Sequence, residues 1–229
     1  MTDKTQADYD IPSDLKRNFV IACRILACEG VSEAAFNVSC RINDDVWMTM
    51  PVTSPTLVEE DELVIGKIAD GSANWKAHPA IYEARPDVGA IVHCHPIHVV
   101  ALSTLEQSFS PVHHYGAPFH GKISTFKSPG QTKSELRAGE IARQLGQNRC
   151  ILQRGHGVIV VGKDLQEAVL LTLFLEESVK MNLIASQLGK PQYLTIEQSE
   201  KIVPQILKQR SLDKAWNHYR NKAQILGYF

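Results

Sequence analysis

The sequence predicts an α/β domain in which antiparallel hairpins are surrounded by helices, and three observations carry that expectation. Residues 36–42 and 46–50 alternate in polarity about the turn Asn43-Asp44-Asp45, a hairpin signature. Residues 150–162 repeat the arrangement, with β-rich apolar runs on either side of Gly155-His156-Gly157. Between and after these segments stand runs of helical period, the most apolar through Leu170-Leu171-Thr172-Leu173-Phe174-Leu175, flanked by Glu167, Glu176 and Glu177 and reaching about Leu188.

In chain order, a polar N-terminal tail (1–12) leads into a first helix over Leu15 to Cys28, where Leu15, Phe19, Ile21, Ala22, Ile25 and Leu26 recur at helical spacing. Ser13 is its expected N-cap, and Gly30 stands just past its end. After the first hairpin a third short strand fits residues 63–68, closed by Asp70-Gly71. Residues 75–84 read as a helix that stops at Arg85-Pro86-Asp87, because the residue before a proline is pushed out of the helical region. The apolar strand Ile91-Val92-His93-Cys94-His95 follows, then a helix over 99–105 and a turn-rich stretch from Pro111 to Pro118. Ser134 caps a helix to Leu145. After the 150–162 strands and the long helix, residues 195–229 form a C-terminal extension of one or two polar helices; His218, Tyr219 and Tyr228 there are candidates to close a site from the C-terminus, with a surface tail as the expected reading. No repeat or linker divides the chain, so residues 1–229 read as one domain.

The bulk properties narrow the function. With 229 residues and 44% hydrophobic content the chain can bury a sizeable core. Its net charge of −1, with signs mixed, points away from nucleic acid and membrane and toward a small-molecule partner. The N-terminal stretch lacks an apolar signal core, and no run approaches the roughly 18–20 apolar residues of a spanning helix, so a cytoplasmic location is expected. The five cysteines are odd in number and scattered, which suits reduced, mostly buried thiols.

Chemistry concentrates in the histidines. Alternate side chains of a strand share a face, so His93 and His95 point one way and Cys94 the other. Two readings fit this His-x-His: half of a metal site, or a hydrogen-bonded pair at a strand end. His156, between two glycines, is the candidate third ligand if its strands are neighbours of the first; otherwise it is a turn residue. Three neutral imidazoles with an open position would hold a catalytic metal able to act as a Lewis acid on a carbonyl or enolate oxygen. Cys94 reads as core.

The succession Tyr82-Glu83-Ala84-Arg85-Pro86-Asp87 through His93-Cys94-His95, the later Leu152-Gln153-Arg154-Gly155-His156-Gly157, and a helix with Glu176-Glu177 resemble the class II aldolase/adducin family from about Leu15 to Leu188. The resemblance implies a fuculose-phosphate aldolase-like fold, a three-layer α/β/α sandwich with a mostly antiparallel central sheet. It also implies a homotetramer with sites at subunit boundaries. Its chemical implication is one divalent ion on His93, His95 and His156, polarising a substrate oxygen so that a carbon–carbon bond breaks to leave an enolate. Zinc, manganese, cobalt and ferrous iron all suit imidazole donors.

The departures from the family pattern point to the substrate. Where the sugar-phosphate members carry a glutamate ahead of the first histidine, this chain has Asn74, an amide that cannot shuttle a proton but can orient water or substrate. His78 and Glu83 stand nearby as candidates to substitute for that glutamate; the other reading of each is a helix-surface residue, which is the expectation for Glu83. The family's phosphate grip is replaced by Phe36-Asn37, Pro51-Val52 and Ser72-Ala73, which bring side-chain bulk where bare amides cradle phosphate. Met48 to Val58 and Pro111-Val112-His113-His114 instead resemble the decarboxylating branch, which acts on hydroxylated aromatic or pyridine carboxylates. A decarboxylation needs no base for a hydroxyl proton, but it needs a proton returned to carbon; His114 or Tyr115 are the candidate donors, with Tyr115 at a position that reaches a neighbouring subunit's site. For Tyr115 an interface packing role is the other reading. Lys122, Lys127 and Arg154 are candidate carboxylate anchors or merely solvated cations. The function expected is a metal-dependent carbon–carbon lyase, a decarboxylase of a small non-phosphorylated hydroxy-aromatic or β-keto carboxylate. The alternatives are an aldolase of a non-phosphorylated hydroxy-ketone or hydroxy-acid, an iron-dependent oxygenase, and a non-catalytic adducin-like binding module.

Overall fold

The computed structural model describes residues 9–31, 36–70 and 75–229. Among these, seven strands form one sheet: β1 (Asn37–Arg41), β2 (Val46–Thr49), β3 (Val64–Lys67), β4 (Ala90–Cys94), β5 (Ile123–Phe126), β6 (Cys150–Gln153) and β7 (Gly157–Gly162). Their order is β3-β2-β1-β4-β7-β6-β5, and every neighbouring pair is antiparallel except β5 with β6. The two hairpins expected from the sequence thus meet through β4, the histidine strand, which lies between β1 and β7.

Alternation along the strands builds two cores. Val38, Cys40, Met48, Val92, Cys94, Leu152, Val158 and Val160 face one side, against helices α1 (Ser13–Cys28), α5 (Leu165–Leu188), α6 (Ile196–Ile206) and α7 (Gln209–Ile225). Trp47, Ile91, Phe126, Ile151, Ile159 and Val161 face the other, against α2 (Ala77–Ala84) and α4 (Glu135–Leu145). The result is the α/β/α sandwich with a mostly antiparallel sheet. The short α3 (Ile97–Ser103) continues from the end of β4.

Several local expectations shift. Ser13 lies inside α1, whose N-cap position is Pro12. Ile11, in the polar tail, is buried against the core. The stretch after Pro111 becomes a 3-10 segment over His114–Phe119, since its closely spaced Gly116 and Pro118 suit a tight turn. The C-terminal helices are not a loose tail: Leu212, Trp216 and Ala223 of α7 are buried, and Tyr219 packs against the same core. Strand β5 has no counterpart among the sequence expectations. Ser134 does cap α4, its hydroxyl accepting from the Arg137 amide.

Candidate metal centre

The β4–β7 pairing places His93 opposite Ile159, so its ring lies on the α2/α4 face while Cys94 enters the other core. Burial pushes the Cys94 thiol far up, consistent with a packing residue. His95 follows the last residue of β4, and His156 sits in the β6–β7 turn after Gly155, whose φ of +62° is the left-handed conformation that favours glycine. One nitrogen from each of the three rings lies within 4.8 Å of the other two. The ring centroids are 4.9 Å apart for His93–His95, 5.1 Å for His93–His156 and 4.9 Å for His95–His156.

This donor set fits a borderline divalent ion. His93 Nδ1 lies 3.0 Å from the Val158 carbonyl oxygen; donating its proton there leaves Nε2 bare as a ligand. Burial, then the neighbouring His95 and His156 rings, hold His93 well below the ordinary histidine range, and burial followed by His95 lowers His156. His93 and His156 are therefore held neutral and ready to coordinate. His98, the remaining histidine of the strand-end segment, is turned away. Its ring and backbone N–H both donate to the Glu176 carboxylate, which also accepts from the Val99 amide at the start of α3.

The three rings open into a cavity of about 550 Å³ lined by Phe36, Asn37, Lys76, His78, Thr132, Lys133 and Gln153, among others. Asn37 and Gln153 are each 1% exposed, and the oxygens of both side-chain amides have no hydrogen-bond partner among the described residues. The loop that carries Thr132 and Lys133 is tied to α4 by Arg137, which donates to the Ser128 hydroxyl and to the carbonyls of Ser128 and Gly130.

Of the other residues singled out from sequence, Asn74 lies outside the described residues. His114 and Tyr115 do not line this cavity. They border a second one of about 690 Å³ with Phe174, Glu177, His218 and Tyr219, and the Tyr115 ring stacks on Phe174 at 4.1 Å. His120 is engaged by the Ser199 hydroxyl at 2.8 Å. Lys122, Lys127 and Arg154 are not among the residues lining the histidine cavity; Lys76 and Lys133 are. Sequence reasoning missed these two lysines because each reads as an ordinary surface cation until α2 and the 127–133 loop face one another. Glu83 is exposed.

Comparison with known proteins agrees with this geometry. Residues 17–183 match the family described as Class II Aldolase and Adducin N-terminal domain. The decarboxylase NovR of Streptomyces niveus is 29% identical over 153 residues, covering 64% of this chain but only 56% of that protein, so the match spans little more than half of it. The L-fuculose phosphate aldolase of Escherichia coli is 28% identical over 186 residues, covering 77% of this chain and 86% of the relative. The solved structure of L-fuculose 1-phosphate aldolase from Glaciozyma antarctica superposes with a TM-score of 0.79 at 23% identity, over 93% of this chain and 89% of that one. The fold is theirs, and the family match covers all seven strands and all three histidines: this chain belongs to the class II aldolase/adducin family.

Proposed function

We propose that the protein is a divalent-metal-dependent carbon–carbon lyase that decarboxylates a small, non-phosphorylated carboxylate. The observation that carries this reading is the cluster of His93, His95 and His156 at a cavity whose charged lining side chains, among the described residues, are Lys76 and Lys133. The three imidazoles would hold the ion. When bound, it supplies Lewis-acid stabilisation of the oxygen anion that forms as the carbon–carbon bond breaks.

The remaining steps fall to the chain's own groups. Lys76 and Lys133 attract and orient the carboxylate. Phe36, buried and lining the cavity, supports a compact or aromatic substrate over a phosphate, because its ring fills space that an anion's shell of amide donors would need. Cleavage releases carbon dioxide and sends the bond's electron pair to the adjacent carbonyl oxygen, and a proton must then return to carbon. In this reading Asn74 orients water or substrate. His114 or Tyr115 of a neighbouring subunit supplies the proton, since within one chain both border a different cavity. A homotetramer with sites at subunit boundaries would bring them there.

The test is elemental analysis of wild type and of the His93→Ala/His95→Ala variant, followed by a carbon dioxide release screen over hydroxybenzoates and β-keto acids. About one equivalent of metal in wild type, none in the variant, and release by wild type alone is the expected result. Oxygen uptake with ferrous iron and no anaerobic release would favour an oxygenase. Binding without turnover of any kind would favour an adducin-like module.

A further inference from the structure

Three buried side chains on the α2 side of the sheet form a hydrogen-bonded chain that ends at the cavity. Tyr82 Oη lies 2.8 Å from Ser39 Oγ, and Ser39 Oγ lies 2.7 Å from His78 Nδ1. Ser39 is fully buried, and His78 and Tyr82 are each 1% exposed. The His78 ring lines the cavity, and its Nε2 has no partner among the described residues.

Counting protons decides the direction of the chain. The Tyr82 hydroxyl has one neighbour to bond, Ser39 Oγ, among the described residues. If Tyr82 donates to Ser39, and Ser39 donates to His78 Nδ1, both buried hydroxyl protons are used. The imidazole proton then sits on Nε2. If His78 Nδ1 donated instead, either the serine or the tyrosine proton would be left in the core without an acceptor. Burial also pushes the His78 pKa down to about 3, so the ring is neutral and offers one N–H rather than two.

We propose that Tyr82 and Ser39 hold His78 as its Nε2–H tautomer, and that this N–H donates to a carboxylate oxygen of a hydroxylated carboxylate substrate. His78 is thus a specificity residue that touches substrate, and Ser39 and Tyr82 are positioning residues. The buried oxygens of Asn37 and Gln153 in the same cavity, without a partner among the described residues, accept from the substrate hydroxyl. The inference rests on the reading of this cavity as a carboxylate site, and it names what the floor of that site recognises.

The experiment is two-bond proton–nitrogen correlation on the full chain labelled with 15N-histidine and saturated with zinc, titrated with 4-hydroxybenzoate, 3-hydroxybenzoate and lactate. The expected result is a protonated Nε2 and a bare Nδ1 on His78, with the Nε2–H signal moving saturably with at least one of the three. Tyr82→Phe should introduce the Nδ1–H form and weaken that carboxylate by about 10-fold, with zinc content unchanged. A wild-type His78 protonated on Nδ1, or an Nε2–H signal unmoved by all three acids, overturns the proposal; both arms are read on wild type, so a poorly folding variant does not remove the test. Failure of the decarboxylase reading is seen separately, as absent carbon dioxide release while the His78 signal still responds.

Discussion

Gly157 is packed so closely against His95 that a Cβ added to it would lie 2.5 Å from His95 Cδ2, and equally close to the Cys94 carbonyl oxygen. The glycine is therefore required by the imidazoles rather than by the turn alone. Gly157→Ala must both displace the His95 ring and move β7 away from the Cys94 carbonyl of β4. We expect overpacking to cost about 1–3 kcal/mol in urea unfolding. Metal retained on purification should fall severalfold by elemental analysis; full retention would mean that the His95 ring can move aside without cost to the site.

Arg85 joins the C-terminal ends of α2 and α4. Its Nε and Nη2 each donate to an Asp87 oxygen at 2.7 Å, and Nη1 donates to the carbonyl of Gly146, just after α4. The Arg-Pro-Asp motif is thus a fastening between α2 and α4. Arg85→Ala should lower the unfolding free energy by about 1–2 kcal/mol, because it removes the donor to the partly buried Gly146 carbonyl, while the exposed Asp87 carboxylate returns to water. Metal content should not change, and a loss of metal at unchanged stability would contradict this assignment.

Lys133 is exposed at the cavity rim, while Lys76 is shared with Glu135 at 3.3 Å. Lys133→Met should therefore raise the KM of a carboxylate substrate by roughly 10-fold with kcat within about twofold, the pattern of a lost binding interaction. Steady-state kinetics on the acid found by the release screen would measure it. A fall in kcat at constant KM would place Lys133 in the chemistry instead.

The buried His78 makes stability depend on pH. Its folded pKa lies near 3 and its unfolded value near 6.5, so below 6.5 the unfolded chain binds more protons and stability falls as pH drops. Its contribution is fully present above about pH 6.5. By pH 4 the loss is on the order of 3 kcal/mol. Urea unfolding at pH 7, 5.5 and 4 on wild type and His78→Gln should show a shallower pH dependence in the variant; equal slopes would mean that the ring gains a proton without unfolding.

The sequence alone determined the two hairpins, the helices of clear period and the shared face of His93 and His95, whereas His156 joins them only through the β4–β7 pairing. Those features are carried by local alternation, glycine placement and spacing, which act over a few residues. Even the His-x-His geometry follows from strand pleating, with His93 and Cys94 entering opposite sides of the sheet as the alternation requires.

Tertiary structure decided what surrounds those imidazoles. Strand β5 is four residues long with only Phe126 buried, so its sequence carries no strong signal; its parallel pairing with β6 supplies one. The inclusion of Lys76 and Lys133, the Tyr82–Ser39–His78 chain, the capture of His98 by Glu176 and the separation of His114 and Tyr115 from the cavity all join residues distant in the chain. Such contacts depend on the order of strands and on which helix covers which face. A local pattern cannot encode that order, because an exposed cation and a cavity-lining one have the same neighbours in sequence until the sheet is assembled.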